Sequence, residues 1–126
     1  MKVAVTVLVA LGCIAGAVQA QTNINQFKDA PAAKFTPEDF EMFWASVNEV
    51  SSEQKVGAIR NWQNDVTGSG GSLKLLKIFT AEDGRDCRRL RVDNRHKKLK
   101  GSSKQTVCAS PEGKWLIDAE AKPAKG

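Results

Sequence analysis

Two cysteines 21 positions apart, Cys87 and Cys108, follow an N-terminal segment built like an export signal. Together these features limit the fold more than anything else in the chain. Met1-Lys2 gives a short positive start, and Val3 to Val18 is apolar apart from Thr6 and small residues. Val18-Gln19-Ala20 then supplies acceptable side chains where a signal peptidase cuts. Cleavage after Ala20 is expected to leave Gln21 as the mature N-terminus. An exported chain matures where thiols oxidise, and Cys13 departs with the signal, so Cys87 and Cys108 are expected to form one intramolecular disulfide. Closing a loop of about 20 residues contributes on the order of 3 kcal/mol, a large share of the roughly 5–15 kcal/mol that holds a domain together. The apolar run falls short of the roughly 20 residues a bilayer span requires, so no transmembrane span is expected in the mature chain. Lipidation at Cys13 is a weaker alternative, because Ala10 stands where a lipidation signal has a large aliphatic residue.

After the signal (residues 1–20), residues 21–35 show no periodicity and read as a flexible leader. Thr36-Pro37-Glu38-Asp39 predicts a helix start: a capping hydroxyl, a proline suited to the first turn, and two carboxylates at the positive end of the dipole. Phe40, Phe43, Trp44, Val47 and Val50 recur at helical spacing and predict one apolar stripe over about fifteen residues. Beyond Val56 the pattern shifts to short runs between turn residues. Strands are expected over Val56–Trp62, Leu73–Thr80, Arg85–Asp93, Lys104–Ala109 and Lys114–Ala119, with turns at 64–71, 82–84 and 110–113 and a bulge at Leu75-Leu76. Trp62 and Trp115 are expected to anchor the core. The fold class is therefore α+β: an N-terminal amphipathic helix on an antiparallel sheet of about five strands, stapled by one disulfide. The domain spans 36–119, and 120–126 reads as an unstructured tail.

Charge is concentrated. The whole chain carries +5, but residues 85–104 hold Arg85, Arg88, Arg89, Arg91, Arg95, Lys97, Lys98, Lys100 and Lys104 against only Asp86 and Asp93. A loop over 94–103 is expected between the two cysteine-bearing strands, and its Arg95, Lys97, Lys98 and Lys100 are the candidate anion-binding residues. Such a field attracts anionic partners and weakens with salt.

Other chemistry finds little support. Thr67-Gly68-Ser69-Gly70-Gly71-Ser72 lacks the lysine and following helix of a phosphate loop, so a hairpin turn is expected there. His96 is the single histidine and sits among cations, and oxidised cysteines do not ligate metal, so no metal site or other cofactor is expected. A dyad of His96 with Ser102 or Ser103 has nothing to orient it. The basic stretch contains no aromatic to stack on bases, and an exported chain rarely meets nucleic acid.

Taken in order, these motifs resemble the surface-antigen domain of bacterial outer-membrane proteins, the 17-kDa surface antigen type. The resemblance rests on Thr36-Pro37-Glu38-Asp39, Gly57, Trp62 and Asn64 followed by Thr67-Gly68 and Gly71, then Gly84-Arg85 with Cys87-Arg88, and Cys108 with Gly113 and Trp115. It implies a small exported envelope module with no catalytic residues to carry over, and its paired cysteines correspond to Cys87 and Cys108. The lipidation cysteine and glycine zipper common in such proteins are missing here, which favours a periplasmic or secreted form over outer-membrane association. The expected function is non-enzymatic: binding anionic envelope components (lipid head groups, lipopolysaccharide or cell-wall polymer) through the basic hairpin. The alternatives are a periplasmic accessory protein that binds another protein, or a small-ligand or enzymatic pocket between helix and sheet.

Overall fold

Thr36 opens the helix through a reciprocal cap. In the computed structural model, which describes residues 30–124, the Thr36 hydroxyl accepts the Asp39 N–H at 3.1 Å and the Asp39 carboxylate accepts the Thr36 N–H at 2.9 Å. Helix α1 then runs Pro37–Ser51. Phe43, Val47 and Val50 from its apolar stripe are buried and Trp44 is partly so. Phe40 stays 39% exposed, its ring edge-on to Phe35 at 5.4 Å. The expected signal segment with Cys13, the rest of the leader up to residue 29, and residues 125–126 lie outside the described residues.

Five strands follow: β1 (Ile59–Asn64), β2 (Ser69–Thr80), β3 (Asp86–His96), β4 (Leu99–Ala109) and β5 (Trp115–Ile117). Each pairs antiparallel with the next, in the order β1-β2-β3-β4-β5. One helix on a five-stranded antiparallel sheet is the expected α+β architecture. Alternation along the strands turns Trp62, Leu73, Leu75, Leu90, Val92, Val107 and Trp115 toward α1, where they form one core with Phe35, Phe43, Val47 and Val50. The register slips between Leu75 and Lys77, which places the bulge at Leu76. Cys87 and Cys108 face each other across β3 and β4 and are joined at 2.04 Å, under Phe79, Ala81 and Ala121. Among the described residues, no helix is long and apolar enough to cross a membrane.

Several boundaries differ from the sequence reading, each for a physical reason. The first strand begins at Ile59 rather than Val56, because Gly57 takes a left-handed φ of 97° and donates its N–H to the Leu75 carbonyl at 2.7 Å. Ser69, Gly70 and Gly71 belong to β2 rather than to the preceding turn. The bare Gly71 position leaves room for the Trp62 indole and the Asn94 amide, both within 3.2 Å of where a Cβ would stand.

The basic segment 94–103 is not a loop. Asn94, Arg95 and His96 pair with Gly101, Lys100 and Leu99, and only Lys97 and Lys98 turn the chain. Lys97 adopts φ 53° and donates its N–H to the Gly68 carbonyl at 2.8 Å, so this hairpin tip docks on the β1–β2 turn.

The two ends of the described chain are also more regular than expected. Pro31–Lys34 forms a 3₁₀ turn and Phe35 is buried, with Phe35 edge-on to Trp62 at 5.1 Å. In the tail, Glu82 N–H bonds the Lys122 carbonyl at 3.0 Å and Ala124 N–H bonds the Thr80 carbonyl at 2.9 Å, around a bridge between Ala81 and Pro123.

Candidate functional site

Side chains alternate across a strand, so residues next to the core-facing ones in β2, β3 and β4 point away from α1. Nearly half of those positions are cationic. Arg91 stands directly between Lys74 and Lys104, Arg95 is opposite Lys100, and Arg89 is opposite Lys77. Among the described residues this face carries seven Lys or Arg side chains and one carboxylate, Asp93. No described helix packs on it, since α1 lies on the other side and Pro31 of the 3₁₀ turn packs over Gly101 on that same helical side.

Local partners orient the arginines and leave the face strongly positive. Arg91 Nε donates to Asp93 at 3.2 Å, Arg89 Nη1 to the Thr106 hydroxyl at 2.9 Å, and Arg95 Nη2 to Gln63 Oε1 at 3.2 Å. Like charges directly opposite one another across strands destabilise a sheet by roughly 0.2–1 kcal/mol per pair. The row Lys74–Arg91–Lys104 accepts that cost twice.

Of the residues singled out in the sequence, Arg95 and Lys100 lie on this face as a cross-strand pair. Lys97 and Lys98 sit at the hairpin tip, where the Lys97 stem packs against Gly68. The candidate surface is thus a rigid sheet face rather than a loop, and Lys74, Lys77, Arg89, Arg91 and Lys104 join it. The run 89, 91, 93, 95, charged at every second residue, carried that signal in the sequence. Two cations of the basic segment are directed elsewhere. Arg88 is buried in the core. Arg85 is tied to Asp83 at 2.7 Å and Asp118 at 2.8 Å, beside a hollow of about 270 Å³ at the disulfide end of the molecule. Its hydrogen bonds hold the Asp83 and Asp118 carboxyls below the usual range.

On the helical side, polar groups act as internal ties. His96 Nδ1 lies 2.7 Å from the Ser69 hydroxyl, and Ser69 is fully buried. Ser102 points to the opposite face from His96, and Ser103 pairs with Val92, four residues along β3 from His96. The imagined dyads are therefore not assembled. Asp39, with no solvent exposure, accepts the Asn64 amide and the Thr67 hydroxyl, both at 2.8 Å, as well as the Thr36 N–H. Burial pushes the Asp39 carboxyl up, but these donors outweigh it and lower it to about 2. A carboxyl held below its unfolded value stabilises the fold above about pH 4 and loses that contribution as pH falls toward 2. Acid titration of stability is expected to show a loss of about 1–2 kcal/mol from this group across that window. In Asp39→Asn that part of the slope should vanish; an unchanged slope would assign it to other carboxyls.

A model of the 17 kDa outer membrane surface antigen family matches residues 49–116. The matched span contains the disulfide and every cation of the sheet face described above. No curated protein and no solved structure matches the chain significantly.

Proposed function

The chain belongs to the 17 kDa outer membrane surface antigen family, and on that footing we propose that it is a non-enzymatic envelope protein that adheres to anionic envelope material through the open face of its sheet. The observation that carries this reading is the uncovered row Lys74–Arg91–Lys104, with Arg95–Lys100 and Lys77–Arg89 on either side. Mutually repelling charges on a rigid surface lose less by meeting an anion than flexible ones do, because their geometry is already set. Near an anionic membrane each placed Lys or Arg contributes about 1 kcal/mol. Four to six such contacts give reversible attachment that fades between low and physiological salt. The partners in this reading are lipid head groups, lipopolysaccharide or cell-wall polymer, met in the periplasm or after secretion.

Vesicle co-sedimentation with phosphatidylglycerol against phosphatidylcholine tests the reading. Lys74→Gln, Arg91→Gln and Lys104→Gln combined should weaken binding to the anionic vesicles about 100-fold at low salt, three contacts' worth. The tip pair Lys97→Gln and Lys98→Gln should weaken it less than about fivefold, since the tip lies off the face. The triple variant should melt no lower than the parent, because the substitutions relieve like-charge pairs. Equal sedimentation of parent and triple variant at low salt would remove the sheet face as the adhesive surface.

A further inference from the structure

Two cationic rows on the open face are separated by a band of short polar side chains. Asn61, Ser72, Asp93 and Ser102 lie in register across β1 to β4. On one side of them stands Arg95–Lys100, and on the other Lys74–Arg91–Lys104. A depression of about 510 Å³ opens beside the Arg95–Lys100 row, walled by Ser72, Asp93, Arg95, Lys100 and Ser102, with Lys74–Arg91–Lys104 the next row outside it. Gly71, Asn94 and Gly101 line it as well; they pair at a helical-face register position, so they present backbone to the depression. The two cationic rows are four residues apart along β3, about 13–14 Å.

A carboxylate at the centre of this surface is out of place if the ligand is only a sheet of negative charge. Asp93 keeps 44% of its side chain exposed and would repel a phosphate brought to the middle of the face. It is well placed for a ligand whose middle is made of hydroxyls: the carboxylate accepts O–H donors strongly, and the serines on either side donate and accept. We propose that the depression binds an acidic saccharide, hydroxyl-rich in the middle and anionic toward both ends, as in the headgroup of a phosphorylated glycolipid. The sugar hydroxyls meet Asp93, Ser72, Ser102 and Asn61, and the terminal anionic groups meet Arg95–Lys100 and Lys74–Arg91–Lys104. This inference rests on the adhesive reading of the sheet face and adds a ligand class to it. The alternative role for Asp93 is to offset like charge through its 3.2 Å pair with Arg91, and the two roles predict different responses to uncharged substitutions beside it.

The test uses the full chain and two vesicle types matched in surface charge, one carrying phosphatidylglycerol and one carrying a bisphosphorylated disaccharide glycolipid. The parent is expected to prefer the glycolipid by about tenfold, the effect of one or two added hydrogen bonds, and the free bisphosphorylated disaccharide should displace it from those vesicles. Ser72→Val with Ser102→Val leaves charge unchanged and suits exposed strand positions. This pair should erase the preference while phosphatidylglycerol binding stays as it was. Asp93→Asn, a second route to the same question, should raise phosphatidylglycerol binding and lower the preference. Equal binding to both vesicles by parent and variants, or no displacement by the free disaccharide, would overturn the saccharide inference and leave the adhesive face standing. No binding to either vesicle would overturn the adhesive reading itself.

Discussion

Replacing Trp62 by alanine is expected to lower the unfolding free energy by about 3–5 kcal/mol, as truncation of a buried aromatic does. For a domain of this size that corresponds to a fall in melting temperature of roughly 15–30 °C. The ring carries this weight because it packs three elements together. It meets Phe35 edge-on at 5.1 Å and Phe43 of α1 at 6.4 Å, and its Nε1 lies 3.1 Å from where a Cβ on Gly71 would stand. Among the described strands β1 is an edge strand, paired with β2 alone, and Trp62 is its one buried side chain. Trp62→Phe should cost far less, about 1–2 kcal/mol. Among the described residues the buried indole N–H has no hydrogen-bond partner, so phenylalanine gives up no polar contact there. Chemical denaturation of the three proteins checks the ordering. If Trp62→Ala unfolds like the parent yet loses vesicle binding, the ring is part of the binding surface and not the core.

The parts of this fold that could be read in advance are those whose causes are local. Thr36-Pro37-Glu38-Asp39 carries its own cap, and the resulting helix starts where those four residues place it. The disulfide is expected from the cysteine count and an N-terminus built like an export signal, and the bulge at Leu76 from a break in alternation. What escaped depends on distant partners. Phe35 is buried because Trp62, from another element, is there to receive it, and nothing in residues 21–35 announces this. Residues 120–124 are held by Thr80, Ala81 and Glu82, at the far end of β2. The segment 94–103 looked like a loop because it is nearly all polar. Toward its tip the hairpin carries no fully buried side chain, so it needs few apolar residues and shows no hydrophobic period. The candidate face suffered from the same gap. Arg95 and Lys100 were visible as charge, but their union with Lys74, Arg91 and Lys104 exists only through strand register. Asp39 appeared as a first-turn acid and proves also to anchor the β1–β2 turn through Asn64 and Thr67.

Arg88 is the second residue whose removal should be severe, although in sequence it is one more cation in a basic run. Its side chain is 1% exposed. It sits on the helical face of β3, opposite Ile78 and Val107, where alternation would place an apolar residue. The guanidinium donates from Nε to the Ser51 carbonyl at 2.9 Å and from Nη1 to the Cys87 carbonyl at 2.9 Å, and it stacks 4.7 Å from the Trp115 ring centre. Ser51 is the last residue of α1, so a fixed positive charge meets the negative end of the helix dipole. Arg88→Ala would leave a cavity and two buried carbonyls without these donors, a combined cost of about 3–5 kcal/mol. Arg88→Met refills much of the volume and should recover only part of the loss. Asp86 also pairs with Arg88, but its side chain is 55% exposed, and half-solvated ion pairs contribute little. Asp86→Asn should therefore cost under about 1 kcal/mol. Denaturant unfolding of the three variants separates the causes. A loss in Asp86→Asn as large as that in Arg88→Ala would place the stabilisation in the ion pair, while the expected order places it in the tie between the end of α1 and the centre of the sheet.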